Sequence, residues 1–154
     1  SERAGRAVSP GTLGILCDPS HPLFREFPTD GHSDWQWWSI ARHARPMILD
    51  ALGSRCRPVV QVVDNIERNH RLGLVFEFAV GQGRLLVSMC DPDAVAGTPE
   101  GDQWRYALTA YLRSADFDPT LRLEWEELCE LFGAAAAERD IKGVENASDY
   151  TQPF

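Results

Sequence analysis

The hydrophobic and polar positions of the chain follow two different periods, which predicts a mixed α/β fold. Short apolar runs bounded by turn-forming residues are typical of buried strands, and apolar residues recurring every three or four positions are typical of amphipathic helices. The predicted strands are Leu13–Cys17, Val59–Val63, Leu72–Val80 and Arg84–Cys90. The predicted helices are Trp35–His43, Gln103–Arg113 and Leu121–Phe132, and Met47–Leu52 fits either type.

The strongest local signal is a β-hairpin. The tight connection Gly81-Gln82-Gly83 joins two apolar arms whose side chains alternate with a period of two. We therefore expect strands 72–80 and 84–90 to pair antiparallel, with one shared apolar face. That face is formed by Leu74, Phe76, Phe78 and Val80 in the first arm and by Leu85, Val87 and Met89 in the second.

Together these elements predict one α/β domain over residues 12–132, a layered mixed sheet with helices on its faces. Residues 1–11 are rich in small residues and are predicted to be a flexible lead-in. Residues 133–154 are predicted to hold the end of the last helix and a tail. A chain of 154 residues is long enough to bury about 70% of its unfolded surface in one core.

Composition and charge narrow the set of partners. The net charge is −8 and no stretch concentrates Lys or Arg, so neither a nucleic acid nor an anionic membrane surface is an expected partner. No apolar run reaches the roughly 18 residues of a membrane span, and the first six residues lack the apolar core of a signal peptide. The chain is therefore expected to be cytoplasmic or a piece of a longer protein, and its compartment stays open.

Residues 28–38 carry the best candidate binding site, because three of the five tryptophans lie there among short polar side chains. Flat apolar rings beside hydrogen-bonding groups suit a surface that holds a sugar, although core packing is the favoured explanation for the rings as a group. On a helix capped by Ser33 or Asp34, Trp35 and Trp38 would share a core-facing stripe and Trp37 would be exposed. The candidate ligand-binding residues are Trp37, Trp35, Trp38, His32, Asp34 and Gln36.

Motifs for catalysis, cofactors and metals are missing from the sequence. The four cysteines form no C-x-x-C pair and are expected to be buried free thiols. The four histidines have no metal-binding spacing. Gly81-Gln82-Gly83 joins two strands and is therefore a turn, not a phosphate loop. The only local pairing of a nucleophile with a base is Cys17 with His21. We expect no cofactor, no metal and no catalysis by this segment.

Several blocks of the sequence resemble a known family when taken in order. Residues 13–24, 27–38, 45–50, 58–65, 71–78, 80–87, 103–108 and 117–119 resemble a C-terminal ancillary region of bacterial glycoside hydrolase family 2, or β-galactosidase-like, proteins. The resemblance covers about residues 12–119. It implies a class I glutamine-amidotransferase-like fold of the flavodoxin type, incomplete at its N-terminus, with a sheet edge that another element or a second copy would cover.

The same resemblance argues against catalysis. Active members of the wider fold place a His-x-Glu pair after a late strand, and the corresponding residues 89–93 of this chain contain none. The hydrolytic carboxylates of the family belong to a separate barrel domain and match nothing here. We therefore expect activity to reside elsewhere in a parent protein.

Three hypotheses about function follow. The first is a non-catalytic accessory module of a carbohydrate-active enzyme that degrades polysaccharide, with carbohydrate or the catalytic domain as its partner. Such a parent would be secreted or periplasmic. The second is a small hydrolase that uses Cys17 and His21 or the His32 and Asp34 group. The third is a purely structural or oligomerisation domain with all its tryptophans in the core.

Overall fold

The structure, a computed structural model, describes residues 14–65 and 68–138, and for residues 134–138 only the backbone. The strands are β1 (Ile15–Cys17), β2 (Met47–Ile48), β3 (Val60–Val63), β4 (Arg71–Val80), β5 (Gly83–Ser88) and β6 (Arg122–Leu123). The helices are α1 (Trp35–Ala41), α2 (Pro99–Arg113) and α3 (Trp125–Glu138), and two 3₁₀ helices span Pro22–Arg25 and Asp50–Arg55. The predicted lead-in, residues 1–11, and the tail after residue 138 lie outside the described residues.

The sheet is built around β4, which pairs with four of the other five strands. The first half of β4 pairs antiparallel with β3 and with β2. Its second half pairs antiparallel with β5 and parallel with β6, and β1 pairs antiparallel with β3. The prediction of a layered mixed α/β sheet with helices is confirmed. Its flavodoxin-type refinement is not, because a doubly wound sheet is mostly parallel whereas four of the five described pairings are antiparallel.

The predicted hairpin is present. Strands β4 and β5 pair in a regular antiparallel register from Val75 opposite Ser88 to Val80 opposite Gly83. The chain turns at Gly81, whose φ of +54° lies in the left-handed region that glycine adopts without strain. After β5 the chain stays attached to the sheet, because the Met89 N–H donates to the Leu74 carbonyl.

Hydrophobic residues cover both faces of this sheet, which produces two cores. In the first core, α1, α2 and the 3₁₀ helix Pro22–Arg25 pack over β1, β3 and part of β4. The second core lies on the other face, where Leu128 and Leu131 of α3 pack with Phe76 and Phe78 of β4. The sheet therefore carries two helical layers, one on each side.

The largest deviation from the predicted elements lies before the last helix. Residues 121–132 were predicted to be one helix, but Arg122–Leu123 form β6 and α3 begins at Trp125. The Ala79 N–H donates to the Leu121 carbonyl over 2.8 Å, so this segment completes the sheet instead of starting a helix. The ambiguous Met47–Leu52 segment divides between β2 and the second 3₁₀ helix.

Among the remaining helix boundaries, α2 begins four residues earlier than predicted. Thr98 caps it by accepting the Gly101 N–H, and Pro99 occupies the first turn, where its missing N–H costs nothing. None of the described helices has both the length and the apolar character needed to cross a membrane.

Candidate functional site

Trp37 is the buried ring of the tryptophan segment, so the prediction that it is exposed is wrong. Its side chain is 0% exposed and packs edge-to-face against Phe24, Phe27 and Trp104, with ring centroids 5.2–6.3 Å apart. Its indole N–H donates to the Thr29 hydroxyl over 2.7 Å. Trp37 therefore anchors α1 in the first core and is not accessible to a ligand.

Trp35 and Trp38, which were predicted to face the core, are 87% and 50% exposed. The inward stripe of α1 consists instead of Trp37, Ile40 and Ala41, which have the same helical spacing. A short helix with three tryptophans in four positions offers two stripes of similar apolar character. The aromatic cavity made by Phe24, Phe27 and Trp104 selects the stripe that contains Trp37.

Asp34 and Gln36 hold the start of α1 in place. The Asp34 carboxylate caps the helix by accepting the backbone N–H groups of Gln36 and Trp37 over 3.1 and 3.3 Å. The Gln36 amide donates to the Pro28 carbonyl over 2.8 Å and to Asp34 over 3.2 Å. Both side chains are half-buried, so their first role is to fasten the preceding loop to the helix.

One side of α1 presents aromatic and cationic groups to solvent. Trp35, Trp38 and Arg42 are spaced i, i+3 and i+7, which places them on the same side, and all three are exposed. We call these three residues the tryptophan face. The Arg42 Nε donates to His43 Nε2 over 2.9 Å, which orients the guanidinium and leaves its terminal N–H groups to other partners.

His32 is exposed just before α1 and is tied to the edge of the sheet. Its backbone forms a bridge with Leu16 of β1, and its Nδ1 lies 3.0 Å from the Ser33 carbonyl. Of the six residues predicted to bind a ligand, Trp35, Trp38 and His32 thus present their side chains to solvent. The other three side chains hold α1 in place, through the cap of Asp34, the amide hydrogen bonds of Gln36 and the buried ring of Trp37.

The Cys17 thiol and the His21 imidazole each have partners other than one another. The Cys17 thiol donates to the Asp30 carbonyl, and burial, followed by the charges of Asp18 and Asp34, raises its pKa to about 11. The His21 Nδ1 accepts the Leu23 N–H over 3.3 Å, and its Nε2 lies 3.8 Å from Glu77. Both nitrogens of the imidazole are therefore engaged away from the sulfur.

A cluster of His21, Glu77 and Tyr111 was missed by sequence reasoning. The Tyr111 hydroxyl donates to Glu77 Oε2 over 2.9 Å, and the His21 ring packs edge-to-face on the Tyr111 ring at 5.4 Å. Burial, and then the neighbouring Glu77 carboxylate, raise the pKa of Tyr111 well above its ordinary value. The one available signal was Glu77 itself, the single charged residue in the apolar run from residue 72 to residue 80.

A shallow depression of about 410 Å³ opens near the end of β5. It is lined by His43, Arg45, Ser88, Met89, Cys90 and Asp91. Cys90 is almost fully buried, and burial raises the pKa of its thiol to about 11, so a reactive thiolate is disfavoured. All four cysteines are free thiols, but the prediction that they are buried is wrong for Cys129, which is exposed, and Cys17 is only half-buried. The described residues contain no cluster of side chains suited to a metal ion.

The sequence was also compared with known proteins. A family model described as a domain of unknown function, DUF8487, matches residues 2–133. No curated protein matches the chain.

Proposed function

The chain belongs to the DUF8487 family, and we propose that it is a non-catalytic accessory module that binds carbohydrate through its tryptophan face. One observation carries the proposal: the indoles of Trp35 and Trp38 are both exposed on the same side of a helix that Trp37 anchors in the core. Tryptophan is highly buried on average, and exposed aromatic surface is typical of ligand and partner sites.

The chemistry of the tryptophan face suits a sugar. The flat faces of Trp35 and Trp38 can stack on the apolar C–H faces of a sugar ring, and such contacts remove apolar surface from water on both sides. A sugar also carries hydroxyl groups, which need hydrogen-bond partners when they leave water. The Arg42 guanidinium on the same face offers several donors for them.

The support beneath the face adds to the argument. Trp37 is buried in the first core. Asp34 caps the N-terminus of α1, and Gln36 forms a hydrogen bond with the loop that precedes the helix. A surface held in this way loses little conformational freedom when a ligand arrives, so more of the contact energy appears as affinity.

The second half of the proposal is that catalysis belongs to another part of a larger carbohydrate-active enzyme. Its support is the resemblance of residues 12–119 to an ancillary region of such enzymes, together with the high pKa values of Cys17 and Cys90. In this arrangement the module would hold polysaccharide near the catalytic domain.

Calorimetric titration of the chain with soluble β-linked oligosaccharides tests the proposal. We expect heat of binding with at least one glycan, and a loss of about tenfold in affinity, or about 1.4 kcal/mol, for either Trp35→Ala or Trp38→Ala. The matched control is Trp125→Ala, which removes an exposed indole from α3 on the other side of the sheet and should leave glycan affinity unchanged.

Two results of this titration would contradict the proposal. The absence of binding heat across glucan, xylan, mannan and galactan fragments would contradict it, and so would equal losses in all three variants. Thermal unfolding of each variant shows whether it is folded, and we expect little change for Trp35→Ala because the ring makes few contacts.

A further inference from the structure

Helix α3 presents a second exposed apolar surface on the opposite face of the sheet. Trp125, Cys129 and Phe132 are spaced i, i+4 and i+7, so their side chains follow one line along the helix. Trp125 is 64% and Phe132 is 41% exposed, and Cys129 between them is exposed as well. We call these three residues the α3 stripe.

The α3 stripe is distinct from the side of the helix that faces the core. Leu128 and Leu131 turn towards the sheet and pack with Phe76 and Phe78. A surface helix normally needs one apolar side. The second apolar side of α3 is therefore left uncovered by residues 14–65 and 68–133, and two of its three residues are aromatic, the type that most often anchors an interface.

Acidic residues border the stripe. Glu126 and Glu130 lie one helical turn apart next to it, both are exposed, and neither makes an ion pair within the described part of the chain. The 14 residues of α3 include no Lys or Arg. Glu127, by contrast, is used internally, since it accepts a hydrogen bond from Arg55 over 2.7 Å.

We propose that the α3 stripe docks a basic amphipathic helix of a partner protein. The apolar side of that helix would cover Trp125 and Phe132, and its Lys or Arg residues would reach Glu126 and Glu130. Helix recognition of this kind combines apolar anchors one or two turns apart with charge complementarity at the border. The charge also argues against a second copy of this chain, because two α3 helices would bring glutamates together.

Cys129 supplies a reporter inside the proposed interface. Cys56 and Cys90 are buried, and burial raises the pKa of the Cys17 thiol to about 11, so Cys129 should react fastest with a maleimide. A bound helix that covers the stripe must slow this reaction. The rate of labelling at Cys129, assigned by peptide mass spectrometry, therefore measures occupancy at one defined place.

The experiment uses the full chain and two synthetic helices of about 18 residues, roughly five turns. One helix has leucines on one side and lysines on the other, and the matched helix has glutamate in place of every lysine. We expect saturating lysine helix to slow Cys129 labelling about tenfold, with less protection at high salt, and the glutamate helix to give none.

Substitutions in α3 test whether the lysine helix binds at the α3 stripe. Trp125→Ala with Phe132→Ala should abolish protection, and Glu126→Gln with Glu130→Gln should weaken it severalfold. A matched charge control, Asp30→Asn with Asp93→Asn, removes two exposed carboxylates elsewhere and should leave protection unchanged. Unfolding curves confirm that each variant is folded.

Four results would overturn the proposal. They are equal protection by both helices, no protection by either, protection that depends on the concentration of the chain itself, and slow labelling that becomes fast when the chain is cut after Glu138. The third would assign the stripe to a second copy and the fourth to the chain's own C-terminal segment.

Discussion

The two helical layers of this protein are built differently, although each covers one face of the same sheet and each exposes tryptophan to solvent. Helix α1 rests on an aromatic core in which Trp37, Phe27 and Trp104 meet edge-to-face. Among the side chains that the structure describes, α3 packs on the second core through Leu128 and Leu131, and Glu127 pairs with Arg55 of the 3₁₀ helix Asp50–Arg55. The first layer is therefore anchored by large interlocking rings and the second by a narrower aliphatic contact.

This difference bears on what each exposed surface can do. The tryptophan face lies on a helix anchored in the first core and includes the cationic Arg42, which suits a small ligand that must be held in one orientation. The α3 stripe lies on a less deeply anchored helix and is bordered by glutamates, which suits a broad contact with a basic partner. Under the two proposals, similar aromatic residues would take different roles because their support and the neighbouring charges differ.

The largest effect that would test this comparison is expected at Trp37. Trp37→Ala would leave a large cavity beside Phe24 and Trp104 and remove the hydrogen bond to Thr29, so we expect a loss of about 3–5 kcal/mol in the free energy of unfolding. Urea unfolding followed by circular dichroism measures it. Trp35→Ala is the control and should cost less than about 0.5 kcal/mol, because that ring is exposed. Similar losses in both variants would remove the distinction between anchor and surface ring.

A smaller effect is expected in the second layer. Leu131→Ala deletes the buried contact of α3 with the second core, and we expect a loss of about 2–3 kcal/mol, at the low end for leucine because one helix can settle back onto the sheet. The same denaturation experiment applies. Its neighbour Phe132, on the exposed stripe, is the control, and Phe132→Ala should cost under about 1 kcal/mol. A loss at Leu131 larger than at Trp37 would reverse the proposed order of the two layers.

The smallest effect is the pH dependence of the stability that the Arg55–Glu127 ion pair contributes at the start of α3. The Glu124 N–H, and then the Arg55 guanidinium, hold the pKa of the Glu127 carboxyl below its ordinary value. A carboxyl whose pKa is lower in the folded chain stabilises the fold above its unfolded pKa, and this contribution is lost as the pH falls through the folded pKa.

Glu127→Gln should therefore reduce stability at about pH 6 and approach wild type once the pH is well below the ordinary carboxyl range near 4.5. Urea unfolding of both proteins across this range measures the difference. The control is Glu126→Gln, which removes an exposed carboxyl that makes no ion pair among the described residues and should change stability at pH 6 by less than Glu127→Gln does. If the difference in the free energy of unfolding between wild type and Glu127→Gln stays constant down to acidic pH, ionisation of Glu127 does not strengthen its interaction with Arg55.

Much of the fold could be predicted because it depends on local patterns. The β4–β5 hairpin follows from two alternating arms around Gly81, whose backbone conformation glycine adopts without strain. Helix α2 has apolar residues at helical spacing together with Thr98 and Pro99 at its start. Segments without strong periodicity were predicted less accurately. Residues 121–124 were assigned to a helix, although Arg122–Leu123 form β6 and pair with β4.

In the candidate site, the predicted exposure of the tryptophan rings was the inverse of what the structure shows. The sequence by itself determined that residues 28–38 would combine tryptophans with capping and hydrogen-bonding side chains, because those properties belong to the residues and their spacing. It could not determine which tryptophan faces inward, since Trp35 with Trp38 and Trp37 with Ile40 fit a helix equally well. Only the tertiary structure decided this. The aromatic cavity of Phe24, Phe27 and Trp104 comes from segments distant along the chain, and burial against it rotates α1 so that Trp37 is enclosed while Trp35 and Trp38 face solvent.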